Sequence, residues 1–215
     1  MTTTRVLFRL YSYFSVGPVF LRRILAGSTG KIIKEALPVD ALKVAHWILA
    51  FSQEHGDPLT NLKLQKLLYY AQAWHLALYD KPLFRDPIEA WIYGPVVPMV
   101  YRQFKKFRNH PVLYEGEKPT IPEKVGDFLE ELLEVFGGYS SYQLERMTHS
   151  EKPWQKARGN LPIDVQSRAV ILHEDMKAFY RVLAEASCRE SGTLNRAGKN
   201  NRTPYARICP QSLRI

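Results

Sequence analysis

The stretch from Thr60 to Asp80, TNLKLQKLLYYAQAWHLALYD, constrains the fold more than any other part of the chain. It contains no glycine or proline, and its apolar residues recur at helical spacing. At 100° per residue they fall on two arcs, with Leu64, Leu67, Leu68, Ala71, Trp74, His75 and Leu78 on one, and Leu62, Tyr69, Ala73 and Leu76 on the other. A helix that is apolar on two sides is buried, so we expect this one at the centre of the domain. Its polar residues, Lys63, Gln65, Lys66 and Gln72, then need solvent or polar partners.

Helical signals continue on both sides of this stretch. Asp40 can cap a first helix, Pro98 and Pro122 suit the first turns of a third and a fourth, and Ser140 with Gln143 forms a capping box for a fifth. A helical turn or two follows in THSEKPWQKARGN, and residues 164–185 have the pattern of a last long helix. The sequence therefore predicts a mainly α fold, a compact bundle of about six to seven helices.

One insert breaks the helical pattern, KPLFRDPIEAWIYGPVVP at residues 81–98. Residues 88–93 have the composition of a short strand, and we expect them to pair in a hairpin with residues 112–114. YGPVVP at residues 93–98 offers one polar side chain, that of Tyr93, and reads as a rigid elbow that leads into the third helix.

The charge of the chain divides it into three parts. Residues 1–37 and 187–215 each hold six basic groups and one acidic group, while residues 38–186 hold 18 basic and 19 acidic groups. We therefore expect an apolar and basic N-terminal extension, partly helical or disordered, then one domain over residues 38–186, and a basic, disordered tail over residues 187–215. The body has a net charge of −1, so the total of +9 does not indicate a basic face for nucleic acid.

The two ends carry few further signals. The apolar run near the N-terminus, roughly a dozen residues, is too short to span a bilayer, and Gly17-Pro18 interrupts it. An export signal, an interfacial segment and an extension from an upstream start codon all remain open for it. Both cysteines, Cys188 and Cys209, lie in the C-terminal tail, which excludes a disulfide framework in the body and fits a cytoplasmic protein.

Catalytic motifs are absent from the sequence. It has no phosphate loop, dinucleotide-binding turn, nucleophile elbow or His-Glu-x-x-His pair, so we expect no enzyme, metal site or cofactor. His149, close to Thr148 and Glu151, fits a local helix cap better than catalysis. Four cations, Arg102, Lys105, Lys106 and Arg108, fit a solvated helix face, a phosphate site or a face paired with the acidic side of the fourth helix.

Three blocks occur in a recognisable order: LTNLKLQKLLYYAQAWHLAL, KPLFRDPIEAWIYGPVVPMVYRQF and SSYQLERMTHSEKPWQKAR. Together they resemble the Panacea, or SocA-like, antitoxin domain, whose members are also described as phage-associated GepA proteins. The resemblance covers about residues 39–184. It implies a small helical protein that neutralises a toxin, usually encoded next door, by binding it directly, and that in some members hands it to a protease. The identity of the toxin, the stoichiometry, the oligomeric state and any autoregulation stay open.

The positions that match the family pattern are Leu64, Gln65, Lys66, Leu67, Tyr69, Tyr70, Pro82, Leu83, Phe84, Glu89, Ala90, Trp91, Tyr93, Gly94, Pro95, Val96, Val97, Pro98, Tyr101, Leu144, Thr148, His149, Glu151, Pro153 and Trp154. We expect most of them to be scaffold, because a motif shared by antitoxins of different toxins should encode their common fold. Partner choice is then expected at Arg102, Lys105, Lys106 and Arg108 and in the 109–121 loop.

Four other functions remain as alternatives. A nucleic-acid-binding regulator, or a phage-associated interaction protein, would also suit a small domain with basic ends. An enzyme would have to be built on His149, Glu151 and Glu89. Membrane attachment would have to use residues 1–25.

Overall fold

The computed structural model describes residues 38–194, and side chains up to residue 186. Within this range the chain forms seven α-helices, and the predicted mainly α class is confirmed. The described residues up to Phe179 form one compact unit, and the part of the last helix from Tyr180 onward belongs to a second unit. The helices are α1 (Ala41–Glu54), α2 (Asn61–Tyr79), α3 (Pro98–Phe104), α4 (Glu123–Phe136), α5 (Ser141–Ser150), α6 (Lys152–Arg158) and α7 (His173–Leu194).

Helix α2 is central, as its two apolar arcs predict. It contacts α1, α3, α4 and α5, and most of its residues are buried. The Thr60 side chain accepts a hydrogen bond from the Lys63 amide at the start of the helix, and Asp80 ends it in the left-handed conformation. With neighbours on several sides, α2 must satisfy its polar side chains inside the protein rather than in water.

The other helix starts follow local signals. Asp40 accepts hydrogen bonds from the amides of Leu42 and Lys43 at the start of α1. Helix α3 begins at Pro98, and the capping box of Ser140 and Gln143 at the start of α5 is confirmed. These signals are reliable because each cap joins residues only two or three positions apart.

The irregular insert contains a two-stranded antiparallel sheet, β1 (Glu89–Trp91) and β2 (Gly94–Val96). The predicted pairing of residues 88–93 with 112–114 is wrong. Gly94 at a φ of 93° lets the chain reverse over two residues, which costs less loop entropy than closing a loop of some twenty residues. The Val112 amide donates instead to the Leu59 carbonyl, 2.8 Å away.

The predicted start of the last helix near residue 164 is also wrong, because α7 begins at His173 and runs on to Leu194. Before it, residues 163–164 form a turn, and two backbone hydrogen bonds then hold residues 169–171 beside residues 88–90. The Ala90 amide donates to the Ala169 carbonyl, and the Ile171 amide donates to the Ile88 carbonyl. Those backbone groups are therefore unavailable to a helix.

The predicted N-terminal extension and the tail from residue 195 onward lie outside the described residues. The division of the chain into three parts stays a prediction. Among the described helices, none is both long enough and apolar enough to cross a membrane.

Candidate functional site: a buried polar junction

Two polar side chains of α2 hold the elbow that precedes α3. The Gln65 Oε1 atom accepts a hydrogen bond from the Val97 amide at 2.9 Å. Lys66, which is fully buried, donates from Nζ to the Pro95 carbonyl at 3.2 Å. The Gln-Lys pair of the first motif thus fixes the Pro-Val-Val segment of the second.

Gly94 allows this close approach. A Cβ atom at this position would lie 2.8 Å from Lys66 Cε and 2.8 Å from Thr148 Oγ1, inside normal van der Waals contact. The glycine therefore serves two purposes, the positive φ of the turn and the space beside a buried lysine.

Glu151 joins the third motif to the first. Its two carboxylate oxygens accept hydrogen bonds from the hydroxyls of Tyr69 at 2.8 Å and Tyr70 at 3.0 Å, and all three residues are fully buried. Burial, together with the nearby negative charge of Glu151, raises the pKa of Tyr70 well above its usual value. Tyr70 therefore stays protonated, and both hydroxyls donate to the carboxylate that lies between α5 and α6.

A stack of three side chains attaches α6 to β1. The His149 ring lies on the Trp154 ring with their centroids 4.2 Å apart, and the Arg158 guanidinium lies 4.9 Å from the Trp154 ring. Trp154 Nε1 donates to the Trp91 carbonyl at 3.1 Å, and Arg158 Nη1 donates to the Ala90 carbonyl at 3.3 Å. Arg158 also donates to the carbonyls of Pro162, Ile163 and Val165, and so holds the segment that follows α6.

The contacts between α2, the elbow, β1, α5 and α6 form a buried polar junction, and burial sets the protonation of two of its basic side chains, Lys66 and His149. It lowers the pKa of Lys66 to about 7, although Glu145 opposes the shift. Burial, helped by the positive charges of Lys66 and Arg158, lowers the pKa of His149 to about 4. His149 is therefore neutral at physiological pH, and Lys66 loses its proton far more readily than an exposed lysine does.

The three side chains of the enzyme alternative each serve a different internal contact. Glu89 accepts a hydrogen bond from Trp91 Nε1 at 2.6 Å, Glu151 holds the two tyrosines, and His149 stacks on Trp154. Within the described residues no group of three or more His, Cys, Asp or Glu side chains is placed to hold a metal ion. The arrangement supports a structural role, in which these contacts hold the helices of the junction against the hairpin of β1 and β2.

The structure brings the three predicted motifs together at this junction. Most of the motif side chains are buried in it or beside it. The Tyr93 side chain is 62% exposed, and five others are half-buried: Pro82, Glu89, Trp91, Tyr101 and His149. The four predicted cations are exposed and lie outside it: Arg102, Lys105, Lys106 and Arg108.

Two residues of this region, Gln72 and Arg158, were not predicted from the sequence as site residues. Gln72 accepts hydrogen bonds from the amides of Leu83 and Phe84 and donates to the Phe84 carbonyl. Its signal was present, because a polar residue in a helix that is apolar on two sides needs an internal partner. Arg158 had no such signal, since its carbonyl partners depend on a turn that the sequence pattern did not predict.

Comparison with known proteins places these features in a family. Residues 64–155 match the family model described as Antitoxin SocA-like, Panacea domain, a range that holds the whole junction except Arg158 and the carbonyls of Pro162, Ile163 and Val165. The chain is also similar to Antitoxin SocA of Caulobacter vibrioides, with 34% identity over 129 residues that cover 54% of this chain and 69% of that protein.

No solved structure matches the chain. The resemblance seen in the three motifs is nevertheless confirmed by the family match and by the relative, and the matched residues 64–155 include the polar residues that join α2, the elbow and α5–α6. The chain belongs to the SocA-like antitoxin family with a Panacea domain.

Proposed function

We propose that this protein is an antitoxin that neutralises a partner toxin in the cytoplasm by binding it directly. The observation that carries the proposal is the family match over residues 64–155, whose motif side chains are engaged within the domain. A junction occupied in this way supports a rigid scaffold, and recognition then falls to the exposed faces around it.

Binding accounts for the arrangement better than catalysis does. A general base needs a pKa near the working pH and access to a substrate. Lys66 and Glu151 are fully buried, and the pKa of His149, at about 4, is far below neutral pH. We therefore propose that the activity needs no cofactor and no catalytic residue.

Co-expression with the neighbouring gene tests the proposal. The product of that gene should stop growth when expressed alone and become harmless when this protein is present, and the two proteins should co-purify. Failure of both rescue and co-purification would refute the proposed function. His149→Ala should keep the rescue provided that the protein folds, whereas loss of rescue in a folded variant would favour the enzyme alternative.

The same cells separate two ways of neutralising a toxin. If the antitoxin blocks a toxin surface, the toxin persists at an unchanged level in rescued cells. If the antitoxin presents the toxin to a protease, the half-life of the toxin shortens when both are expressed.

A further inference from the structure

Helix α3 and the turn after it carry an exposed cationic face, made of Arg102, Lys105, Lys106 and Arg108. The helix buries Val100 and Phe104 against the domain. The opposite side, continued by the 3-10 turn Lys105–Phe107, presents the four cations to solvent. Together these four residues form the α3 cationic face.

The charge of this face is not balanced by the domain. Residues 90–114 contain no aspartate or glutamate, and none of the four cations forms an ion pair in the part of the chain that the structure describes. By contrast, Lys63, Lys118 and Lys156 each reach a carboxylate within 3.1 Å. Apart from residues 90–114, residues 38–186 hold 14 basic and 19 acidic groups, a net charge of −5. The α3 cationic face is therefore net positive, while the rest of residues 38–186 is net negative.

Aromatic side chains adjoin the face. Tyr101 precedes Arg102 on α3, is half-buried, and its ring centroid lies 5.0 Å from that of Trp91. Tyrosine, tryptophan and arginine are the residues that most often carry binding energy at the centre of a protein interface. The combination of an aromatic border and unpaired cations is suited to a protein partner with a complementary charge.

We propose that the α3 cationic face binds an acidic surface of the toxin, an inference that rests on the proposed function. A local acidic patch on a folded protein matches four cations on one side of the domain. Nucleic acid fits less well, because duplex DNA carries a negative charge about every 1.7 Å and would extend from this face across a domain whose remainder is acidic. Exposed Asp127 and Glu130 on α4 belong to that remainder.

Charge reversal on the face provides the test, with the purified product of the neighbouring gene as the probe. The variant is Lys105→Glu with Lys106→Glu, and the control is Lys124→Glu with Lys152→Glu, which changes the net charge equally at exposed positions of α4 and α6. Circular dichroism and thermal unfolding establish that both variants are folded.

The face variant should bind about tenfold more weakly or worse, mainly through slower association. Raising the salt concentration from about 50 to 200 mM should weaken binding by the unmodified protein and by the control more than binding by the face variant. Salt screens an electrostatic attraction that the face variant has already lost. The control variant should stay within about twofold of the unmodified protein at each salt concentration.

The outcomes separate the two proposals. If the unmodified protein does not bind the neighbouring product, the proposed function fails and this inference fails with it. If it binds and the face variant binds equally well, this inference is refuted while the proposed function stands. Equal losses in both variants would indicate a net-charge effect and refute a local face. A shift of promoter DNA that the face variant abolishes, with toxin binding unchanged, would assign the face to nucleic acid.

Discussion

Replacing Gly94 with alanine should destabilise the domain by about 2–5 kcal/mol. Two effects add. The φ of 93° places an L-residue in the left-handed region, at a cost of about 1–2 kcal/mol. The new Cβ atom would also lie 2.8 Å from Lys66 Cε and 2.8 Å from Thr148 Oγ1, and such crowding in a packed interior costs about 1–3 kcal/mol. Lys66 cannot swing aside freely, because it is fully buried and bound to the Pro95 carbonyl.

Gly56 supplies a matched control. It has a similar positive φ of 76°, but a Cβ atom there would meet nothing within 4 Å. Gly56→Ala should therefore show the backbone cost alone, about 1–2 kcal/mol. Urea unfolding followed by tryptophan fluorescence gives the free energy of unfolding for both variants and the unmodified protein. Equal losses at Gly94 and Gly56 would refute the reasoning that the lysine and the threonine fill the space beside the elbow.

Three further predictions concern the charged and polar groups of the junction. In the unmodified protein the free energy of unfolding should rise by up to about 4 kcal/mol between pH 7 and 10. The reason is that Lys66 keeps its proton to about pH 10.5 in the unfolded chain but loses it near pH 7 in the folded protein. Measured by urea unfolding, the Lys66→Met variant should lack this rise, and the variant at an exposed position, Lys152→Met, should keep it. The free energy of unfolding should fall as the pH falls from 6.5 towards 4, because His149 binds a proton in the unfolded chain but stays neutral in the folded protein. Since the ring is half-buried, solvent screening limits the loss to about 1–2 kcal/mol. A His149→Gln variant whose free energy of unfolding falls as steeply with pH would contradict this prediction. Tyr70→Phe should cost about 1.5–3 kcal/mol in urea unfolding, since it removes a hydrogen bond to the buried Glu151 carboxylate, and a loss below about 0.5 kcal/mol would argue that this bond contributes little.

Helix positions could be predicted from the sequence, because their signals act over a few residues. Asp40, Thr60 and Ser140 each accept a hydrogen bond from an amide two or three residues further on. The long apolar pattern of α2 needs no knowledge of its neighbours to indicate burial on two sides. Where a signal depended on distant groups, the prediction failed, as it did for the start of α7.

The hairpin shows why strand pairing is harder to predict. Residues 88–93 and 112–114 both have strand-like composition, and composition alone does not select a partner. The turn at Gly94 selects β2 because it closes the shorter loop, and the other side of β1 is taken by Ala169 and Ile171, about eighty residues further along the chain. The turn at Gly94 is local, but the contact with Ala169 and Ile171 is not visible in a window of local sequence.

The sequence by itself determined that this chain forms a helical domain with a buried central helix, and its three motifs determined the family. Both are properties of spacing and residue type along the chain. Tertiary structure alone decided what the polar residues of those motifs do. Lys66 meets the Pro95 carbonyl, and Glu151 meets Tyr69 and Tyr70, some eighty residues away, only once the helices have packed. Removal from water lowers the pKa of Lys66, raises that of Tyr70 and makes the hydrogen bonds of all four groups obligatory, and burial of that kind is a property of the folded molecule.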